Sequence, residues 1–419
     1  RIHIVTWNVA DEGPPDDFTR LLKLDSKVLP NIYAIGLQEM NASTGAMITD
    51  SIYEDQWTKS LSECLCQRNY VRVKSVRMMG IMLFVFVRRI DLLYVSNIES
   101  EFARTGFGGL WGNKGGVSVR MAVSGVNICF VNCHLAAHLP NVSDRIADYD
   151  DIIDTHKFRD EEVDCIMDHD YVFWMGDLNF RLDEISRDEV VKRVQNNDLE
   201  SLYQYDQLKK AMAEEVILVD FQEGPLTFPP SYKFDKKTNV YDTSSKKRKP
   251  GWCDRILWMV HPDTFEDVPL SVRQVAYSSI PEYTDSDHKP VIAEFVIQVL
   301  HHPTELPILF EPQDVWCTFK SNKCCYTIVS EQLAVGPWDW IGLFKYDFKH
   351  PKDYQTYSWA AQKGDDLHDG TLMYEISFED HAIKHLEAGL YCLCYFSYRK
   401  NCLMGYSDCF RVSAGLLTS

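Results

Sequence analysis

Asn8, Glu39, His134, Asp177 and His288 each stand in or directly beside an apolar, strand-like run. Asp177 lies in Trp174-Met175-Gly176-Asp177-Leu178-Asn179, and His288 in Ser286-Asp287-His288-Lys289-Pro290. Glu39 closes one run and Asn8 another. Glu39 with Asn8 makes an all-oxygen donor pair suited to Mg²⁺, which keeps several waters and takes one or two carboxylates plus a substrate oxygen. An Asp poised on a water, or an Asp–His pair, supplies general-base chemistry. The metal and a second imidazole neutralise charge on phosphoryl oxygens. Taken singly these are ordinary residues, since a strand-end Glu usually caps or meets solvent. A shared rim at the ends of a sheet is what would make them a site.

Two further stretches suit an anionic ligand. Residues 106–116 (GFGGLWGNKGG) hold six glycines in eleven positions, a large entropic cost to order. That stretch is either a flexible hairpin or a shaped loop. In the second case Asn113 and Lys114 face an anion, while Phe107, Leu110 and Trp111 touch an apolar phase. It lacks the spacing and the Lys-Ser/Thr ending of a Walker A loop. Between Ser231 and Arg255 stand eight Lys/Arg and three Asp, including four basic residues in a row at 246–249. Such a run reads as a solvated face, a nuclear localisation patch or a phosphate-binding arm, and the nearby Tyr232 and Lys233 favour the arm.

The elements that must position these groups come from periodicity. Residues 1 to about 300 alternate short β-rich runs (2–7, 32–37, 81–87, 117–121, 126–133, 171–175, 291–299) with helical patterns. Trp57, Leu61 and Leu65 recur at helical spacing, 144–167 reads as one polar helix, and 188–213 as one or two helices around Tyr205-Asp206-Gln207. This mixture implies a layered α/β or α+β domain. A Pro/His-rich patch at 301–312 reads as a linker. Beyond it, short strands (316–319, 324–329, 340–344, 373–378, 391–397, 409–412) separated by Gly, Pro, Asp and Lys turns suggest a β-sandwich of immunoglobulin-like size.

At 419 residues the chain is too long for one ordinary core. It begins at Arg1 without a Met, which suggests a piece of a longer protein. No apolar run approaches a bilayer span. Thirteen cysteines without zinc-ligand spacing read as reduced thiols. The formal charge of −18 argues against nucleic acid as a partner.

Together the motifs resemble the inositol polyphosphate 5-phosphatase family through essentially all of residues 1–297. They are TWN at 6–8, GLQE at 36–39, GNKGG at 112–116, NCHL at 132–135, GDLNFR at 176–181, PPSYKFD at 229–235, RKPGWCDRIL at 248–257 and SDHKPV at 286–291. The resemblance implies a four-layer, DNase-I-like α/β sandwich and in-line attack of water on a 5-phosphate. By it, Glu39 would ligate Mg²⁺ with Asn8 beside it, Asp177 would activate the water, and Asn179 would hold the phosphate. His134, and His288 paired with Asp287, would stabilise the transition state, with Asp254 and Arg255 completing the pocket and Asn132 nearby. Asn113 and Lys114 match 1-phosphate positions. Tyr232, Lys233, Lys246 and Arg248 match the 4-phosphate grip, and Phe107, Leu110 and Trp111 match a lipid-touching loop.

The HCxxxxxR arrangement of cysteine phosphatases is missing. The region from Trp338 to Phe344, with Tyr357-Ser358-Trp359 and Gly389-Leu390-Tyr391, resembles the SKICH domain, which implies an all-β domain over 313–419 that binds protein or membrane. A cytoplasmic protein recruited peripherally to the plasma membrane or endoplasmic reticulum follows from that resemblance. Two rivals stand beside it. A nuclease or sphingomyelinase on the same scaffold has no need of the GNKGG loop and lysine-rich arm. A non-catalytic phosphoinositide scaffold would be expected to have lost one of Glu39, His134, Asp177, Asn179 or His288.

Overall fold

The computed structural model describes residues 1–41, 55–105, 114–262, 269–300, 307–329, 335–361, 364–366 and 372–414. Its strands begin with β1 (Ile2–Asn8), β2 (Ile32–Gln38), β3 (Tyr70–Met78), β4 (Ile81–Arg88), β5 (Val95–Arg104) and β6 (Gly115–Val123). They continue with β7 (Val126–His134), β8 (Tyr171–Asp177), β9 (Asp254–Val260), β10 (Val272–Ser279) and β11 (Val291–Ile297). The helices α1 (Gln56–Cys66), α2 (Val142–Thr155), α3 (Arg187–Gln195) and α4 (Gln207–Ala213) join them.

These strands form a six-stranded sheet, β10-β11-β1-β2-β4-β3, and a five-stranded one, β5-β6-β7-β8-β9. Period-two alternation sorts their side chains. Ile2 and Ile4 meet Val119, Phe130 and Phe173 between the sheets, whereas Val5 and Trp7 turn outward to Trp57, Leu61 and Leu65 of α1. On the other sheet Cys129, Val131 and Trp174 turn outward to Tyr149 and Ile152 of α2 and Leu208 of α4. Four layers result, and the central strands are apolar throughout because both of their faces are covered.

The 144–167 helix stops early. α2 ends at Thr155, a loop follows, and Ile166–Asp168 is a single 3-10 turn. The 188–213 region is two helices separated by the 3-10 turn Glu200–Tyr205. Asp206 N-caps α4 by accepting the Lys209 amide at 2.9 Å. Strands β3, β5, β9 and β10 lie outside the runs read from periodicity.

In the C-terminal part, a four-stranded sheet (Ile308–Phe310, Asn322–Ile328, Leu372–Phe378, Asp365–Asp366) packs on a larger one built around Gly389–Ser397 and Trp340–Lys345. Ile308, Tyr326, Tyr374, Ile341, Leu393 and Tyr395 share the core between them. Ile308–Phe310 falls within the stretch expected as linker; it pairs with Asn322–Ile328, so the sheet begins there. Tyr354–Trp359 and Cys402–Tyr406 are further strands that periodicity did not show, because half-exposed aromatics blur the alternation.

The two parts pack directly. Phe344, Phe348, Cys392, Cys394 and Leu403 join the same apolar cluster as Leu92 and Val71. The Arg89 guanidinium lies 4.1 Å from the Phe348 ring centroid and donates to the Phe348 carbonyl at 2.8 Å. All thirteen cysteines are free thiols. Among the described residues no helix is long and apolar enough to cross a membrane.

Candidate active site

β1 and β2 run parallel, as do β7 and β8, so Asn8, Gln38, His134 and Asp177 all end strands at one pole of the sandwich. Strand register then sets a row across the five-stranded sheet. Gly115 lies opposite His134, His134 opposite Asp177, and Asp177 opposite Asp254. Paired residues point to the same face, here toward the other sheet. From that sheet Asn8 donates to Asp177 Oδ2 at 3.0 Å. The loop before β11 is held by Ser286 Oγ on the Asn8 carbonyl at 2.6 Å and by Trp7 Nε1 on the His288 carbonyl at 3.1 Å. It delivers His288 into the same space.

His134 Nε2 is 3.2 Å from Asp177 Oδ2, and His288 Nε2 is 3.9 Å from it. His288 Nδ1 is 2.9 Å from Asp254 Oδ2, an oxygen that also accepts from Ser231 Oγ at 2.6 Å. Burial opposes charge on His288, but Asp254 and Asp177 overcome it and raise the imidazole to about 9. Burial likewise opposes the Asp177 carboxylate, and the positive charge of His134, His288 and Lys114 outweighs it, leaving Asp177 below the usual carboxylate range. Burial wins at Asp254, whose carboxyl is raised. Lys114, in contact with His134 Nε2, is lowered by burial despite the pull of Asp177 and Glu39.

Asn179, in the left-handed region at φ 57°, is clamped. Its amide donates to Asp177 Oδ1 at 3.1 Å, its Nδ2 to the Leu135 carbonyl at 3.1 Å, and its Oδ1 accepts from Arg181 at 2.8 Å. Glu39, at φ 53°, presents a side chain 46% exposed, 3.8 Å from His134 Nε2. Tyr232 packs against His288 with ring centroids 4.5 Å apart and the planes tilted by 40°, and Arg181 lies 4.4 Å from the Tyr232 centroid. Lys246 is exposed. Arg248 is half-buried in a loop held by its amide bond to Asp242 at 2.7 Å.

Two expectations are corrected by this geometry. His288 pairs with Asp254, not Asp287; Asp287 pairs with Lys233. Arg255 does not line the pocket. It follows Asp254 on β9, so its side chain projects from the opposite face, where it is buried against Asp206 at 3.1 Å and Glu223 at 2.6 Å. Asn132 lies between the sheets, donating to the carbonyls of Leu37 and Met82 and accepting from Gln38. Phe107, Leu110, Trp111 and Asn113 lie outside the described residues. Arg181, given no role from the sequence, closes GDLNFR, and its position in that motif was the available signal.

Asp177, Asp254 and His288 offer ligand atoms all within 4.8 Å of one another and can hold a divalent cation. The wider donor set fits a hard ion too. Asp254 Oδ1 is buried without a hydrogen-bond partner, and Glu39 and Asn8 add further oxygens.

A sequence model of the Endonuclease/Exonuclease/phosphatase family 2 matches residues 5–294, and one of the SKICH domain matches 308–412. Mouse phosphatidylinositol 4,5-bisphosphate 5-phosphatase A is 40% identical over 99% of the chain, which spans only 42% of that protein's length. Mouse inositol polyphosphate 5-phosphatase K is 36% identical over 98% of the chain and 89% of its own length. Among solved structures, a synaptojanin inositol polyphosphate 5-phosphatase domain in complex with inositol (1,4)-bisphosphate and calcium is similar. It has a TM-score of 0.60 and 31% identity over 71% of this chain and 85% of that one.

Proposed function

The chain belongs to the inositol polyphosphate 5-phosphatase family, and from that premise we propose that it removes the 5-phosphate of phosphatidylinositol 4,5-bisphosphate and 3,4,5-trisphosphate, and of soluble inositol polyphosphates. The observation that carries this reading is the ionised Asp177 enclosed by His134, His288 and Lys114 at the shared pole of the two sheets.

In this reading a water attacks in line, with Asp177 accepting its hydrogen bond and orienting it toward the phosphorus. Asp254 keeps His288 protonated, and the imidazolium neutralises charge on the phosphoryl oxygens. His134 and Asn179 hold the same group, Asn179 being fixed by Arg181. Glu39 and Asn8 would hold Mg²⁺, which when bound adds Lewis-acid stabilisation of the phosphoryl group. Lys114 and Asn113 meet the 1-phosphate. Tyr232, Lys233, Lys246 and Arg248 grip the 4-phosphate, so a protein of net charge −18 binds a highly anionic headgroup through local basic groups.

Phe107, Leu110 and Trp111 lean into lipid. The SKICH domain, read as an immunoglobulin-like sandwich, contributes a contact with membrane or a protein partner and recruits the protein from the cytoplasm. The test is Mg²⁺-dependent phosphate release from a panel of lipid and soluble inositol phosphates. Release from 5-phosphorylated compounds alone, abolished by chelation and by Asp177→Asn, supports the reading. No release from a folded protein that still binds lipid overturns it in favour of a scaffold.

A further inference from the structure

The loop between α2 and β8 brings an amine and a thiol together, sharing no residue with the phosphate site. Lys157 and Cys165 face each other as an isolated antiparallel bridge pair, and the Phe158 amide donates to the Asp164 carbonyl at 2.8 Å. Lys157 Nζ lies 2.6 Å from Cys165 Sγ. An N–H···O bond sits at about 2.9 Å, and sulfur is a larger acceptor than oxygen. The separation is therefore shorter than a hydrogen bond to sulfur, and it matches the span across one bridging oxygen, roughly 2.6 Å from ordinary single-bond lengths.

Asp164 completes the group. Its Oδ1 accepts from the Cys165 thiol at 2.9 Å, and its Oδ2 lies 3.8 Å from Lys157 Nζ. Its hydrogen bond favours the protonated thiol, while the Lys157 cation favours the thiolate, the form that oxidants attack. The Lys157 and Asp164 side chains are 54% and 46% exposed, so a dissolved oxidant reaches the pair.

We propose that Lys157 and Cys165 form a modification site at which dioxygen or a peroxide joins Nζ to Sγ through a single oxygen atom. With dioxygen, the ammonium and thiol become Nζ(H)–O–Sγ, one water and one proton. Two N–H bonds, the S–H and the O–O bond break, one of the N–H hydrogens leaving as the proton, and N–O and O–S bonds form. Nitrogen and sulfur each lose two electrons and dioxygen takes all four, one oxygen ending in the bridge and the other in water. With a hydroperoxide the same change consumes two equivalents, each taking two electrons. Two equivalents of a dithiol reductant, each giving two electrons as it closes to a disulfide, reverse it and return amine, thiol and water.

The experiment is mass spectrometry of the whole chain after incubation with air-saturated buffer or dilute hydrogen peroxide, followed by peptide mapping. The wild type gains about 14 Da, one oxygen added and two hydrogens lost, in a species linking the peptides that carry residues 157 and 165, and dithiothreitol removes the gain. Lys157→Arg, which keeps an exposed cation, and Cys165→Ser both lose the linked species. Three results overturn the site: no gain in the wild type, oxidation confined to Cys165 as a sulfinic acid without a link, or a link that persists in Lys157→Arg.

Discussion

The two ends of β8 hold buried histidines of opposite charge preference. At its start His169 donates from Nδ1 to the carbonyl of Cys165 at 3.0 Å and accepts on Nε2 from Arg120 at 3.2 Å. Burial and the Arg120 charge push it down to about 4. Arg120 spends its own charge on Glu99 and Asp160. Close by, His156 meets Ser118 Oγ at 2.8 Å and burial pushes it down to about 4 as well. At the other end His288 is equally buried, yet two carboxylates lift it to about 9. Burial alone makes a histidine neutral; only acids brought by strand register make it a cation. One pole of the sandwich is therefore structural and the other electrostatically prepared for an anion.

Asp177→Asn is the hardest blow to that contrast. The catalytic pole should lose roughly 10³-fold in kcat/KM with thermal stability nearly unchanged, measured by phosphate release and calorimetry. A variant that unfolds instead would make Asp177 structural.

The opposite pole is tested by acid. His156 and His169 bind protons less readily folded than unfolded, so their contribution to stability is present above pH 6.5 and lost as pH falls toward 4. Each should cost about 3 kcal/mol across that window. Denaturant unfolding at several pH values checks it, and His169→Gln, which can still accept from Arg120, should flatten part of the slope.

Asp254→Asn sharpens the comparison by removing one lifting charge. Activity should fall about 10²-fold, and the alkaline limb of the pH–rate profile should move to lower pH, because His288 then loses its proton more easily. A limb that stays in place would assign it to another group. The smallest effect is expected for Arg181→Gln, about tenfold in kcat from loss of one charge-assisted hydrogen bond to Asn179. Loss confined to KM would make it a binding group only.

The C-terminal sandwich extends the lesson. Its buried acid, Asp339, is held by the Tyr395 hydroxyl and the amides of Gly336 and Tyr398. Its exposed side carries Trp338, Tyr357 and Trp359. The core there is aromatic rather than ionic.

Much of this was legible in the chain. Short apolar runs located β1, β2, β4, β6, β7, β8 and β11, because strands buried on both faces are nearly continuous apolar stretches. The ends of those runs named Asn8, Glu39, His134 and Asp177. Strands β3, β5 and β10 escaped because polar residues on their partly exposed faces dilute the pattern. The early stop of α2 escaped because the 156–165 loop is as polar as the helix before it.

What the sequence determined by itself is local: residue type, period, and the motifs that mark a family. Partner choice belonged to the tertiary structure. Asp287 is the chain neighbour of His288, yet Asp254, thirty-four residues away, takes the imidazole. Register decides this, since β9 pairs with β8 so that Asp254 lies opposite Asp177, and a one-residue shift would have turned Arg255 inward instead. A side chain's direction in a sheet is set by its pairing, and pairing is a property of two distant segments at once.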